Sequence, residues 1–175
     1  MNEDNTNSKG LAFTALANNY CAALASARES TREEFVAEML ALLPVIYSSI
    51  SEVSPVSLNV EEEYFSSYVD EDYYESIRHH AEQLLGPDDI FLETFEEDMK
   101  YSDTPIAASI SEGLADIFQD LFNFTQRVRD SEGEALEGAL RECKENFEAY
   151  WGQTLCNVLR ALHCIRYSRR GDADD

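Results

Sequence analysis

Apolar residues recur along the chain at three- and four-residue spacing rather than alternating, which is the period of an amphipathic helix. Phe13, Leu16, Ala17, Tyr20, Leu24 and Ala27 make the first stripe and predict a helix over residues 10–28. Ser30 and Thr31, followed three residues on by Glu33 and Glu34, offer two overlapping capping boxes. In each, the hydroxyl oxygen accepts an orphan N–H of the first turn while the glutamate reaches back to the cap. The stripe behind them, Phe35, Met39, Leu42, Leu43, Ile46 and Ile50, predicts a second helix. Pro44 lies inside it and should kink it, since proline lacks the N–H and its ring clashes with the preceding turn. The short connection makes these helices antiparallel neighbours.

Residues 51–60 read as a connection. Tyr74, Ile77, Ala81 and Leu84 predict a short helix over 70–85, stopped by Gly86-Pro87. From Asp88 to Asp103 the pattern is irregular, and Ile90, Phe91, Leu92, Phe95 and Met99 are expected to anchor an ordered loop. Thr104-Pro105 reads as a cap followed by proline at the first helical position. Ile106, Ile110, Leu114, Ile117, Leu121, Phe124 and Val128 then keep an unbroken helical rhythm. Ser131 and Glu134 offer another capping box, with a last helix expected from about Glu132 to Ser168. With 7 glycines and 4 prolines in 175 residues, the expectation is an all-α, compact single-domain bundle of five to six helices. Residues 1–9 and 171–175 are expected as frayed tails, and the C-terminal helix as long and near-central.

That last helix carries a broad apolar arc: Phe147, Tyr150, Trp151, Thr154, Leu155, Val158, Ala161 and Leu162. Opposite it, Ala149, Gly152 and Cys156 form a strip of small residues, beside which Gln153, Asn157 and Arg160 share one sector, with His163 at its far edge. If that sector faces the bundle interior, these groups must be hydrogen-bonded or must meet a ligand, which makes Gln153, Asn157 and Arg160 candidate ligand-binding residues; a solvent-facing polar edge or a satisfied polar cluster is the plainer reading. On the preceding helix Asp116, Asp120, Asn123 and Arg127 form a polar line beside the apolar stripe. Asp116 and Asp120 join the candidate set, although a solvated or ion-paired boundary is the plainer reading of such a line. No Glu-x-x-His pair of a di-metal bundle is present, nor the calcium-loop ladder of a helix-loop-helix site. Neither a phosphate loop nor a nucleophile elbow occurs, and no catalytic residue, metal site or cofactor is expected. The four cysteines, Cys21, Cys143, Cys156 and Cys164, include no C-x-x-C pair and read as buried reduced thiols.

Charge changes the picture most. There are 35 acidic against 13 basic residues, a formal charge of −22, which disfavours nucleic acid and anionic membrane surfaces. Residues 59–103 hold 15 of the acids with only Arg78 and Lys100 in return, −13 of that total. Five tyrosines, Tyr64, Tyr68, Tyr73, Tyr74 and Tyr101, lie among them, and an acidic face with aromatics can receive a basic protein or peptide. No run approaches the apolar length of a membrane span and no leader precedes the first helix, so a cytoplasmic location is expected.

Three segments carry a resemblance: Ala17-Asn18-Asn19-Tyr20-Cys21; Glu34-Phe35-Val36 with Leu42-Leu43-Pro44-Val45-Ile46-Tyr47; and the stretch from Phe147, FEAYWGQTLCNVLRALH. Together with YSDTPIAASISEGLADIFQDL from Tyr101, they resemble a bacterial family, domain of unknown function 5063, over nearly the whole chain. The resemblance implies a small all-helical bacterial protein and supplies no catalytic or binding residue. The leading expectation is therefore a non-enzymatic interaction or regulatory module whose acidic segment 59–103 docks a basic partner. The alternative is a small-molecule-binding or enzymatic bundle with its pocket around Gln153, Asn157 and Arg160.

Overall fold

The computed structural model describes residues 2–54, 66–93 and 104–168. The C-terminal tail 171–175, the loop anchors Phe95 and Met99, and residues 59–65 and 94–103 of the acidic segment lie outside the described residues.

Helix α1 runs Asn2–Ala25, starting eight residues before the predicted helix and ending sooner, so residues 2–9 continue the helix rather than fraying. Packing explains the extension. Gly10 lies against Leu136 and Leu140, so close that a Cβ there would come within 2.6 Å of Leu140 Cδ1. A helix nucleated at such a contact propagates outward at the modest cost of one more residue per hydrogen bond. A 3₁₀ turn over Ala27–Glu29 leads to α2 (Arg32–Glu52). Thr31 forms the capping box with Glu34 that the spacing predicts. Phe35, Met39, Leu43, Ile46 and Ile50 are fully buried along α2, and Pro44 is accommodated within the helix on its solvent side. Lys144 donates to the carbonyls of Ile50 (2.9 Å) and Ser51 (3.0 Å), capping the far end of α2. By length and composition α2 could cross a membrane, with a mean hydropathy of 1.4, yet here it packs against α1 and the C-terminal helix.

Helix α3 spans Glu71–Leu85, capped by Asp70, which accepts from Tyr73 N, and closed by Gly86 at φ 57°, a backbone region natural to glycine. The next stretch differs from the expected ordered loop and from the expected helix start at Thr104-Pro105. Ile90–Glu93 forms strand β1 and Ile106–Ser109 strand β2, antiparallel with Phe91 opposite Ala108 and Glu93 opposite Ile106. Helix α4 (Ile110–Asp130) starts after them, capped by Ser109. Buried Asp89 fixes that start: it accepts from Ser111 N (2.7 Å), Ser111 Oγ (2.8 Å) and Ser109 Oγ (2.9 Å). A carboxylate at helical N–H groups satisfies donors that a helix leaves orphaned, which is why the helix begins at Ile110.

Helix α4 occupies the centre, packing on α1, α3, α5 and α6. Its stripe buries Leu114, Ile117, Phe118, Leu121 and Phe124, with Phe118 stacked on Phe122 (5.2 Å) and Tyr73 edge-on to both. Tyr20 donates to Leu114 O (2.7 Å) from full burial, tying α1 to it. The expected single helix from Glu132 is interrupted. Ser131 ends α4, and positive φ at Glu132 and Gly133 turns the chain into α5 (Leu136–Asn146). A π turn over Phe147–Trp151 then leads into α6 (Gly152–Tyr167). Gly152 permits that wide turn, since a Cβ would meet Phe147 O at 2.6 Å and the Phe147 ring at 2.7 Å.

The architecture is thus all-α, six α-helices among the described residues, with one two-stranded hairpin. The long C-terminal helix is present, but α4 rather than α6 is the enclosed one. Helix α6 buries Leu155, Val158, Ala161 and Leu162 on one side and exposes Gln153, Cys156, Arg160 and His163 on the other. Cys21 and Cys143 are buried as expected, whereas Cys156 and Cys164 are exposed.

Candidate functional site

The hairpin stands beside the start of α4 because Asp89, at the foot of β1, holds both Ser109 and Ser111. Gly113, one turn into α4, lets α6 approach closely; a Cβ there would lie 2.5 Å from Val158 Cγ1. Between hairpin, α4 and α6 the chain leaves an open cleft of about 380 Å³. Its walls include Phe91 and Glu93 of β1, Ser109 of β2, Glu112 and Asp116 of α4, Tyr150 of the π turn, and Gln153, Thr154 and Asn157 of α6. Among the described residues, three carboxylates line this cleft, with no lysine, arginine or histidine.

Asp116 is the best-held of the three. Its Oδ1 accepts from Tyr74 OH (2.6 Å) and its Oδ2 from Tyr150 OH (2.8 Å), so one carboxylate joins α3, α4 and the π turn. Burial, and then the bond to Asp116, push the Tyr150 phenol up to about 12, and the same causes raise Tyr74 further. Both phenols therefore stay protonated donors at neutral pH. Glu93 accepts a hydrogen bond from the Asn157 side chain, making a bridge from β1 to α6.

Beyond that bridge lies a second groove of about 400 Å³, between β1 and the last turns of α6. It is more apolar, lined by Ile90, Leu92, Ala161 and Ile165, with Arg160, Asp88 and Glu93 at its sides. The candidates expected to share one pocket are accordingly divided. Gln153, Asn157 and Asp116 meet in the acidic cleft; Arg160 lies in the second groove, with Asn157 common to both.

Asp120 faces neither cleft. It sits half-buried at a void of about 30 Å³, too small for a ligand, among Asn123, Arg127, Glu142 and Asn146. Asn146 donates to Asp120 Oδ1 (3.0 Å), and Arg127 pairs with Glu142. Burial pushes the Asp120 carboxyl up to about 6; the Asn146 bond opposes this, the Asp116 charge adds to it, and Arg127 opposes it. Asn123 is also structural, accepting from Tyr68 N (2.8 Å) and donating to Ser67 Oγ (3.2 Å). His163 lies on the exposed side of α6 against Tyr167, ring centroids 4.8 Å apart.

Glu93, Glu112 and Tyr150 line the cleft without having been singled out as site residues in the sequence. Glu112 had a legible signal, standing four residues before Asp116 on the same helix line. Glu93 had none, because the hairpin that delivers it pairs residues 13 to 19 positions apart. Among the described residues, no group of three or more His, Cys, Asp or Glu side chains is arranged to hold a metal ion.

A crystal structure of protein BF1032 from Bacteroides fragilis is similar to this chain, at 33% identity and a TM-score of 0.79 over 91% of this chain and 92% of that one. No curated protein matches. The sequence profile of one family, described as a domain of unknown function (DUF5063), matches residues 5–168, and with the shared helical fold the chain belongs to that family.

Proposed function

We propose that the protein is a cytoplasmic, non-enzymatic interaction module that receives a cationic group of a basic partner in the cleft between hairpin, α4 and α6. The observation that carries this reading is the lining: Glu93, Glu112 and Asp116 all face the cleft, and no lysine, arginine or histidine is among its described lining residues. An ammonium about 4 Å from one carboxylate gains ~1 kcal/mol in bulk water and ~4 kcal/mol at the intermediate dielectric of a protein surface. Phe91 and Tyr150 offer aromatic surface for the stem that carries the charge. A chain charge of −22 speeds the approach of such a partner.

Calorimetric titration of a capped arginine- and lysine-containing peptide into wild type and Glu112→Gln tests this. Glu112 is exposed, so its replacement spares the core. The expected result is binding weakened about three- to tenfold in E112Q, the worth of one partly solvated charge pair. Equal affinity for both proteins would overturn the assignment.

A further inference from the structure

The second groove is bordered by the edge of β1 that β2 does not cover, and this combination specifies an occupant of its own. The hairpin has two strands, so among the described residues β1 pairs on one side only. In an antiparallel ladder alternate residues turn N–H and C=O away from their partner strand, and such an edge is a template for another strand. Ile90 (59% exposed) and Leu92 (62% exposed) stand on one face of β1, an unusual pair of bare aliphatic side chains on so acidic a surface. Ala161 and Ile165 of α6 face them across the groove. Among the described residues Arg160 is the one cation lining either cleft; of the groove's two carboxylates Asp88 pairs with Arg32 and Glu93 accepts from Asn157, and no described carboxylate forms an ion pair with Arg160.

We propose that this groove binds an extended peptide segment of another protein by strand addition to β1, seating an apolar side chain between Leu92 and Ile165 and a carboxylate side chain on Arg160. Main-chain pairing supplies the affinity and alternate side chains the selectivity, as is general where a strand is added to a sheet edge. The guanidinium fork matches a carboxylate in two parallel hydrogen bonds, which sets the register of the incoming strand. A second copy of this chain is disfavoured by the repulsion between two bodies of charge −22. The two clefts share Phe91, Glu93 and Asn157, but this inference needs the uncovered edge of β1 and Arg160, neither of which the basic-partner reading uses.

The probe is a capped hexapeptide of alternating valine and serine with one central glutamate, titrated into the full ¹⁵N-labelled chain. Amide shifts are expected at Ile90–Glu93 and along Asn157–Ile165. A version N-methylated on the pairing edge should lose binding, and Arg160→Ala should weaken it about fivefold, an exposed charge pair's share. Leu92→Lys, at a solvent-facing position, should abolish the response while leaving the spectrum of the core unchanged. Shifts absent from Ile90–Glu93, or equal binding of the N-methylated peptide, would overturn the proposal. So would a concentration-dependent dimer in sedimentation that Leu92→Lys dissolves, because a second copy would then be the occupant.

Discussion

Replacing Asp120 by asparagine isolates one buried charge, and its effect on stability can be worked from the site. Burial holds the folded carboxyl at about 6, against 3.8 for a solvated aspartate. Two pK units correspond to ~3 kcal/mol of differential cost for the ionised form. The sign follows from a folded pKa above the unfolded one. Below about pH 4 both states are protonated and the favourable term is fully present; as pH rises through about 6 the unfolded carboxyl has already ionised and the term is lost. Asparagine cannot ionise, yet its oxygen still accepts the bond that Asn146 donates to Asp120 Oδ1. Urea unfolding of both proteins across this range should therefore show D120N near wild type at about pH 4 and more stable by ~2–3 kcal/mol at about pH 7, with the gain accumulating between. Using the difference between the two proteins removes the general repulsion of a −22 chain, which weakens both alike at high pH. A constant offset across the range, or an asparagine variant less stable at neutral pH, would refute the reasoning.

Three further changes test the frame around the cleft. Thr31→Ala removes the hydroxyl that caps α2 and should cost about 1 kcal/mol in chemical denaturation without altering the fold. Gly113→Ala would drive a methyl into Val158 and Thr154 where α4 meets α6, with about 1–3 kcal/mol lost and the acidic cleft's amide resonances shifted. His80 is buried with neither ring nitrogen hydrogen-bonded among the described residues; burial, then the charges of Arg28 and His79, lower its pKa. Its folded pKa lies below the unfolded value, so its contribution is retained above about 6.5 and lost as pH falls. A His80→Leu variant should unfold less readily than wild type at about pH 5.5, with the difference shrinking towards neutrality, as a thermal melt series would read.

Local signals carried much of the fold. The Thr31–Glu34 spacing and the Gly86-Pro87 stop place their helix ends correctly, because caps are decided by residues within one turn. The hairpin was illegible for the opposite reason. IFLE and IAAS are only four residues each, and their pairing is decided by contacts across the intervening chain rather than by a turn motif beside them. Thr104-Pro105 imitates a helix start, but Asp89 anchors Ser109 and Ser111 from twenty and more residues away and so puts the true start at Ile110. The candidate site was partly legible for the same reason. A π turn at Phe147–Trp151 and an exposed outer face of α6 put Gln153 and Arg160 on different sides of the Glu93 bridge, which a uniform helical wheel cannot represent. Asp116 was found by its spacing, while its partners Tyr74 and Tyr150 come from two other elements.

An amide-resolved titration of the arginine- and lysine-containing peptide, run at low and at high salt, bears most directly on the acidic cleft as a docking site. The account predicts shifts centred on Glu93, Glu112, Asp116 and Gln153 that shrink as ionic strength shortens the reach of the carboxylates. Shifts that leave those residues untouched, or that persist unchanged at high salt, would contradict it.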